Sequence, residues 1–262
     1  HTLESTFVSS VGKYVDGAED FCAKYTQTKK AVAVVNGTAA IQVSLRIAGV
    51  KPKDEVITQA LTFVATVNAI SYNHANPIFV DVDLDTMGMS PKALQSFLEE
   101  FGDKREEGVF NKKSGNRIAA ILPMHTFGFM CCITEIKMIC DEWGIPLVED
   151  AAEAFGSKSQ GSSAGSFGLL GAFSFNGNKI ITAGGGGIIV SNDIELGEQA
   201  KYLTTTAKKP HPYEYFHDEL GYNFRMPNIN AALLLAQMEK LEEYRSAKAK
   251  VYEQYNEFFN GA

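Results

Sequence analysis

Short apolar runs that alternate with helical patterns are the feature that most restricts how this chain can fold. Residues 31–35 form a continuous apolar run, a turn follows at Asn36-Gly37-Thr38, and residues 39–48 continue as a helical pattern. Comparable strand and helix patterns follow along the chain, at 54–60, 61–72, 77–82, 91–101, 118–122, 133–143 and 145–148. Such units predict an α/β fold, in which a mostly parallel sheet carries helices on both faces.

Polar and aromatic residues stand just past several of the predicted strands. These segments are Asn36-Gly37-Thr38, Leu61-Thr62-Phe63, Met124-His125 and Asp150. Ligands of parallel sheets bind beyond the carboxyl ends of the strands, so one crevice is expected to collect them. A glycine turn that opens a helix also points free N–H groups at an anion, although a turn that binds nothing has the same pattern.

The stretch GAFSFNGNKIITAGGGG at 171–187 places Lys179 on a tight connection between two strand patterns, 170–175 and 188–191. A lysine amine reacts with aldehydes when its surroundings lower its pKa or hold it as a Schiff base. Ser174, five residues earlier, offers a hydroxyl to a phosphate group. Taken alone, a lysine in such a glycine-rich hairpin is most often a surface residue, and only the residues around it favour a chemical role.

Four parts of a pyridoxal phosphate site occur together in this sequence. A phosphate needs N–H and hydroxyl donors, the ring needs a flat apolar face, and the ring nitrogen needs an anion that keeps it protonated. The fourth part is a lysine that reaches the aldehyde carbon. The residues that supply these parts are Gly37-Thr38, Phe63, Asp150 and Lys179.

Composition excludes several other classes of protein. The 262 residues carry a formal net charge of −7, which argues against a nucleic-acid or anionic-membrane partner. We find no charged-then-apolar leader and no apolar run of about 18 residues, so we expect a cytoplasmic protein. Asp81, Asp83 and Asp85 alternate like calcium ligands, but Thr86 and Lys92 stand where a calcium loop needs Gly and Glu. We therefore predict no metal site.

Six motifs in fixed order resemble those of the DegT/DnrJ-type sugar aminotransferases, a fold type I pyridoxal phosphate family. The motifs are NGTAA, LTFVATVNAI, HTFG, VEDAAEAFGS, GAFSFNGNKIITAGGGG and GYNFRMPNINAA, and the resemblance runs from about Ser9 to Met238. Within the family, VEDAAEA and the GNKIITAGGGG ending are most similar to the branch that makes 4-amino-4,6-dideoxy sugars for bacillosamine- or legionaminic-type pathways.

The resemblance implies a role for each matching residue. Lys179 would form the Schiff base with the cofactor and move the proton, and Asp150 would pair with the pyridine nitrogen. Glu153 would lie near the phenolic oxygen of the cofactor, and Phe63 would stack on its ring. The remaining implied contacts are Gly37, Thr38 and Ser174 to the phosphate, Asn223 to the phosphate of a second subunit in a homodimer, and Ser9, Asn178 and Arg225 to the substrate.

The implied activity is transfer of an amino group from glutamate to a nucleotide-linked 4-keto-6-deoxy sugar, in surface-polysaccharide or glycan biosynthesis. Alternatives are a 3-keto-sugar aminotransferase, a dehydratase, or a catalytically silent domain of this fold that binds or regulates a partner. Relatives that dehydrate replace the Schiff-base lysine by histidine. Lys179 therefore favours transamination.

Two segments are expected in the domain organisation. Residues 1–227 would form the large cofactor-binding domain, and residues 228–262 would form one long helix that leads toward a small C-terminal domain missing from this sequence. Along that helix an apolar stripe keeps helical spacing, which indicates packing rather than a ligand site. The charged segment 103–116 is expected to be a polar connection.

Overall fold

The computed structural model describes residues 2–4 and 8–260 of the chain. The described helices are α1 (Lys13–Thr26), α2 (Gly37–Ile47), α3 (Val64–Tyr72), α4 (Pro91–Phe101), α5 (Ile133–Trp143), α6 (Ile194–Thr204), α7 (Asn228–Met238) and α8 (Leu241–Asn260). The described strands are β1 (Lys30–Val34), β2 (Glu55–Gln59), β3 (Asn76–Val80), β4 (Gly102–Arg105), β5 (Gly108–Asn111), β6 (Arg117–Leu122), β7 (Val148–Asp150), β8 (Lys158–Ser159), β9 (Ser162–Ser163), β10 (Leu170–Ser174) and β11 (Gly187–Ser191).

The strands form two larger sheets, in the orders β1-β11-β10-β7 and β3-β2-β6-β5-β4, and β8 and β9 form a separate hairpin. Parallel bridges from Ile121 to Leu147 and from Met124 to Asp150 connect the two sheets. The predicted α/β class is therefore confirmed, and the carboxyl ends of β6 and β7 lie side by side.

The sheets are mixed, whereas the sequence predicted a mostly parallel arrangement. β11 is antiparallel to both β1 and β10. The connection from β10 to β11 carries no helix, so the chain returns directly beside the strand that it has left. The segment predicted as a polar connection instead forms the β4–β5 hairpin, which pairs with β6 through Val109 and Ile118.

Helices cover both faces of the β10 region, as predicted. Successive residues of β10 alternate between two cores: Ala172 packs in the cluster that contains α2, α3 and α6, and Phe173 packs in the cluster that contains α1 and α7. Both side chains are buried. The end of β10 is thereby held from both sides at the point where Ser174 begins the connection toward Lys179.

The predicted single helix from residue 228 onward is wrong, since a turn at Glu239-Lys240 separates α7 from α8. α7 packs against α1 in the core, and Leu241 is the last residue of α8 that is buried. Tyr244 is partly buried against the same core, whereas the apolar side chains in the second half of α8, Val251, Tyr252, Tyr255, Phe258 and Phe259, are more than half exposed. The division into domains at residue 227 stays a prediction.

The described helices include none with the length and apolarity needed to cross a membrane. Within residues 2–4 and 8–260, no group of three or more His, Cys, Asp or Glu side chains is placed to hold a metal ion.

Close backbone packing at Gly171 leads to the first testable expectation. A β carbon at this position would lie 2.3 Å from the carbonyl oxygen of Gly165 and 2.4 Å from its Cα. Gly171→Ala should lower the free energy of unfolding by about 1–3 kcal/mol, because backbone rather than a mobile side chain would have to shift. Gly177→Ala is the matched control, because a β carbon there meets nothing within 4 Å. Equal denaturant midpoints for the two variants would contradict this packing.

Candidate active site

The first part of the site is an anion cradle between the N-terminus of α2 and the end of β10. Asn36 caps α2 by accepting the N–H of Ala39 at 2.8 Å. A β carbon at Gly37 would lie 2.8 Å from Cβ and 3.3 Å from Oγ of Ser174. Glycine therefore lets the first amides of the helix approach a hydroxyl side chain, an arrangement suited to a phosphate group.

The second part of the site is the buried carboxylate of Asp150. It accepts hydrogen bonds from the Thr66 hydroxyl at 2.6 Å and from the Ala152 amide at 3.1 Å. Burial raises the pKa of Asp150, and these hydrogen bonds and the charges of His125 and Lys179 oppose that effect. Among the described residues, no lysine, arginine or histidine forms a salt bridge with Asp150. A protonated ring nitrogen would supply the missing cation.

Lys179 forms the third part, at one side of a cavity of about 930 Å³. Its Nζ lies 2.9 Å from Oε1 of Glu153, and the two side chains are 14% and 30% exposed. The sequence alone did not predict this ion pair, because the two residues lie on separate loops. The pair holds the lysine amine at the cavity wall, with Asn178 lining the same wall.

An aromatic lip borders the cavity. Phe127 is 80% exposed and Phe129 is 59% exposed, and both line the cavity. Phe127 has φ 52° and ψ 22°, a left-handed conformation that is uncommon for a bulky residue. Neighbouring contacts fix this turn: Thr126 donates to the Met87 carbonyl at 2.8 Å, and Ser157 donates to the Gly128 carbonyl at 2.6 Å.

The structure places the other predicted residues as follows. Phe63 precedes α3 and is 70% exposed, on the helix whose Thr66 contacts Asp150. Asn223 accepts hydrogen bonds from Arg225 at 3.2 and 3.3 Å, and Arg225 forms a β-bridge with Val34 at the end of β1. Asn223 and Arg225 thus lie beside β1, the strand that leads into the anion cradle.

Two predicted contacts are less directly related to this cavity. The carbonyl of Ser9 accepts the N–H of Asn228 at 2.6 Å, which ties the N-terminal segment to the start of α7. Thr38 lies in the first turn of α2 and is partly buried. The roles predicted for Ser9, Thr38, Phe63, Asn223 and Arg225 stay predictions.

Sequence reasoning missed Thr66 and a buried network around His125. Nε2 of His125 lies 3.1 Å from Oε2 of Glu149. On the other side of the ring, Nδ1 of His125 lies 3.5 Å from Sγ of Cys131. All three residues are buried. The available signal for Thr66 was its position on the first turn after Phe63. For Glu149, the signal was a charged residue that directly follows an apolar run.

Comparison with known proteins decides the family. The DegT/DnrJ/EryC1/StrS aminotransferase family matches residues 1–262. The chain belongs to this family. The resemblance inferred from the motifs is thereby confirmed, whereas the branch within the family stays a prediction.

Three relatives illustrate the similarity. EpsN of Bacillus subtilis (strain 168), described provisionally as a pyridoxal phosphate-dependent aminotransferase, is 40% identical over 97% of this chain and 62% of its own. GDP-perosamine synthase of Escherichia coli O157:H7 is 37% identical over 98% of this chain and 66% of its own. The crystal structure of a DegT DnrJ EryC1 StrS aminotransferase from Brucella abortus has a TM-score of 0.89 at 29% identity, over 98% of this chain and 66% of its own.

The chain therefore spans less than two thirds of the length of these relatives. The described residues nevertheless fit the predicted cofactor, pyridoxal phosphate. The Gly37–Ser174 cradle is a space that a β carbon would fill, and Asp150 is a buried carboxylate that forms no ion pair with a described residue. Lys179 lies at a cavity wall within reach of solvent.

The Gly37 contact leads to the second expectation. Gly37→Ala should weaken pyridoxal phosphate binding by at least about tenfold, because the methyl group would occupy the space between the first helical amides and Ser174. Isothermal titration of cofactor-free protein measures the change. Gly185→Ala is the control, since its nearest contact would be the Val35 carbonyl at 3.9 Å. Comparable affinities for the two variants would remove Gly37 from the phosphate site.

Proposed function

We propose that the full-length protein is a pyridoxal phosphate-dependent aminotransferase that moves an amino group from glutamate to a nucleotide-linked 4-keto-6-deoxy sugar. The observation that carries the proposal is the arrangement of Asp150 and Lys179. Asp150 ends β7, which pairs in parallel with β10 through Ala172, and Lys179 follows β10 after one short turn. A carboxylate for the ring nitrogen and an amine for the aldehyde thus come from neighbouring strands.

Each residue of the site has a proposed task. The amides of Gly37 and Thr38 and the Ser174 hydroxyl bind the phosphate, Phe63 covers one face of the ring, and Asp150 keeps the ring nitrogen protonated. When bound, pyridoxal phosphate supplies an electron sink that stabilises negative charge on the substrate carbon. Lys179 attaches the cofactor and then carries the proton to and from that carbon.

Glu153 is proposed to orient the lysine. Its carboxylate lies 2.9 Å from the Lys179 Nζ, so the amine is held in one position instead of moving freely in the cavity. This carboxylate also lies beside the space that the cofactor's phenolic oxygen would occupy, according to the motif match in VEDAAEAFGS. A fixed amine is what proton transfer at a single carbon requires.

The charge of the cavity supports an anionic substrate. Its lining includes four cationic side chains and two carboxylates, a net of two positive charges in a chain whose net charge is −7. These residues are Lys158, Lys179, Arg245 and Lys248, with Glu153 and Glu242. A nucleoside diphosphate attached to the sugar carries the complementary charge. GDP-perosamine synthase, 37% identical, is named for a nucleotide-linked sugar.

Asn178 lines this cavity and is proposed to contact the sugar, with Ser9 and Arg225 completing the substrate contacts. We also propose a cytoplasmic homodimer, in which Asn223 of each subunit reaches the cofactor phosphate of the other. The motif GYNFRMPNINAA supports that role for Asn223, and its side chain is exposed.

Replacement of the lysine tests the activity. Lys179→Ala should abolish amino transfer from glutamate to every member of a panel of nucleotide-linked keto sugars, with products weighed by mass spectrometry. Lys137→Ala is a suitable control, because Lys137 lies in α5 and pairs with Asp141 at the surface. Transfer by the Lys179 variant would place the catalytic amine elsewhere. No transfer by the unaltered protein to any sugar would favour a silent binding or regulatory domain.

A mixing experiment tests the shared site. Lys179→Ala and Asn223→Ala subunits should each be inactive alone, and co-refolding them should place both lesions in one site of a mixed dimer. The other site would then be intact, so about half of the mixed dimers' sites should be active. Activity that does not recover on mixing, or full activity in a monomer, would contradict sharing across the interface.

A further inference from the structure

A buried amide side chain lies at the end of β2, next to the residues that surround Asp150. Gln59 is the last residue of β2, and it is 0% exposed. The proposed reaction makes no use of it. A buried amide costs free energy unless its donors and acceptors are paired, so its partners show what it holds in place.

Four hydrogen bonds use the full capacity of this amide. Its Oε1 accepts the backbone N–H of Met89 and that of Met124, each at 2.9 Å. Its Nε2 donates to the Leu61 carbonyl at 2.8 Å and to the Thr126 hydroxyl at 3.1 Å. Two N–H groups need an acceptor and a carbonyl needs a donor, so these contacts fix which atom of the amide is oxygen.

Three loops are joined by this one side chain. Its partners lie in the loop after β2, in the connection between β3 and α4, and in the loop after β6. Thr126 strengthens the junction, because it donates its own proton to the Met87 carbonyl at 2.8 Å. The same carbonyl lies 3.5 Å from Nε2 of Gln59, which is longer than an ordinary hydrogen bond.

A chain of two hydroxyl groups leads from the first of these loops to Asp150. Thr66 donates to Oδ2 of Asp150 at 2.6 Å, and the hydroxyl oxygens of Thr62 and Thr66 are 2.8 Å apart. Since the single proton of the Thr66 hydroxyl goes to the carboxylate, Thr62 is the donor in the second contact. The Met124 Sδ, a weaker acceptor, lies 3.2 Å from Oγ1 of Thr62. The position of Thr62 therefore decides whether its proton goes to Thr66 or to the sulfur.

Gln59 holds both ends of this hydroxyl chain. The Leu61 carbonyl that it binds belongs to the peptide group that leads into Thr62. The Met124 amide that it binds belongs to the residue that forms a parallel bridge with Asp150. The donor end and the acceptor end are thus fixed to one buried side chain. Loss of its N–H groups would release the Thr62 end.

We propose that Gln59 is a positioning residue, which keeps the hydroxyls of Thr62 and Thr66 aligned on Asp150 so that its carboxylate is held in one orientation for the ring nitrogen. This inference rests on the proposed role of Asp150. Gln59 acts through hydrogen-bonded neighbours and contacts neither cofactor nor substrate. A carboxylate held in one orientation binds a single N–H group better than a mobile one does.

Two ligands that differ at one ring atom test the proposal. Cofactor-free full-length protein is titrated with pyridoxal phosphate and with its 1-deaza analogue, in which a C–H replaces the ring nitrogen. Gln59→Glu keeps the shape and an accepting oxygen but removes both N–H donors. It should cost pyridoxal phosphate about tenfold more affinity than the analogue, which has no ring nitrogen to pair with Asp150. Equal losses for both ligands, or no loss for either, would overturn the proposal.

The charge that Gln59→Glu adds cannot produce this result, because a nearby carboxylate favours a protonated ring nitrogen. Gln199→Glu makes the same change at an exposed position of α6 and should leave both affinities unaltered. Gln59→Met, which is similar in length and uncharged, replaces Gln59→Glu if that variant does not fold. It should show the same selective loss, and equal losses would again overturn the proposal.

Variants of Thr62 test the hydroxyl chain itself without altering Gln59. Thr62→Val keeps the volume but removes the hydroxyl, so it should show the selective loss, whereas Thr62→Ser keeps the hydroxyl and should retain the preference for pyridoxal phosphate. A preference kept by Thr62→Val, or lost equally by both variants, would overturn the proposal.

Asp150→Asn separates this inference from the proposed function. It should abolish the preference for pyridoxal phosphate over the deaza analogue. If it does not, the proposed role of Asp150 is wrong. Selective loss in Asp150→Asn but in neither the Gln59 nor the Thr62 variants rejects the present inference alone.

Discussion

The parallel ladder between β7 and β10 is the contact on which the rest of the site depends. It pairs Val148 with Leu170 and Asp150 with Ala172, and so brings the end of one strand beside the start of the loop that carries Lys179. Close packing beside this ladder requires glycine, since a β carbon at Gly171 would lie 2.3 Å from the Gly165 carbonyl oxygen. Ala172 and Phe173 then anchor the strand in separate cores. The geometry of the site is therefore fixed by core packing and backbone pairing, with the loops adding side chains to a rigid edge.

Two neighbouring carboxylates on β7 are stabilised in different ways. Glu149 accepts three backbone N–H hydrogen bonds and contacts Nε2 of His125, so its hydrogen-bond partners come from the protein itself. Asp150 accepts hydrogen bonds from one hydroxyl, that of Thr66, and from one backbone amide, that of Ala152. Among the described residues, no basic side chain forms a salt bridge with it. Burying an ion without a partner is costly, and burial accordingly raises the pKa of Asp150. The alternation of the strand thus separates a carboxylate that holds the structure together from one that is left for a ligand.

Local signals predicted some elements well. Ser90 and Pro91 mark the start of a helix, and the structure places α4 at the predicted residues, with Ser90 as its cap. The β4–β5 hairpin was missed because its charged sequence suggests a loop, while its pairing with β6 depends on residues elsewhere in the chain. In the site, Gly37, Asp150 and Ser174 were identified from strand ends and motifs. Thr66 and the His125–Glu149 pair depend on contacts between residues 84 and 24 positions apart, which no local pattern records.

The left-handed backbone of Phe127 has a consequence for how this cavity can change during evolution. Holding a bulky residue in that conformation costs about 1–2 kcal/mol relative to glycine. The Phe127 ring is mostly exposed, so its removal uncovers little buried surface. Glycine at this position would relieve that backbone strain and remove a ring that lines the same cavity as Lys179. The shape of the cavity can therefore change at this wall without the loss of stability that accompanies most substitutions of buried residues.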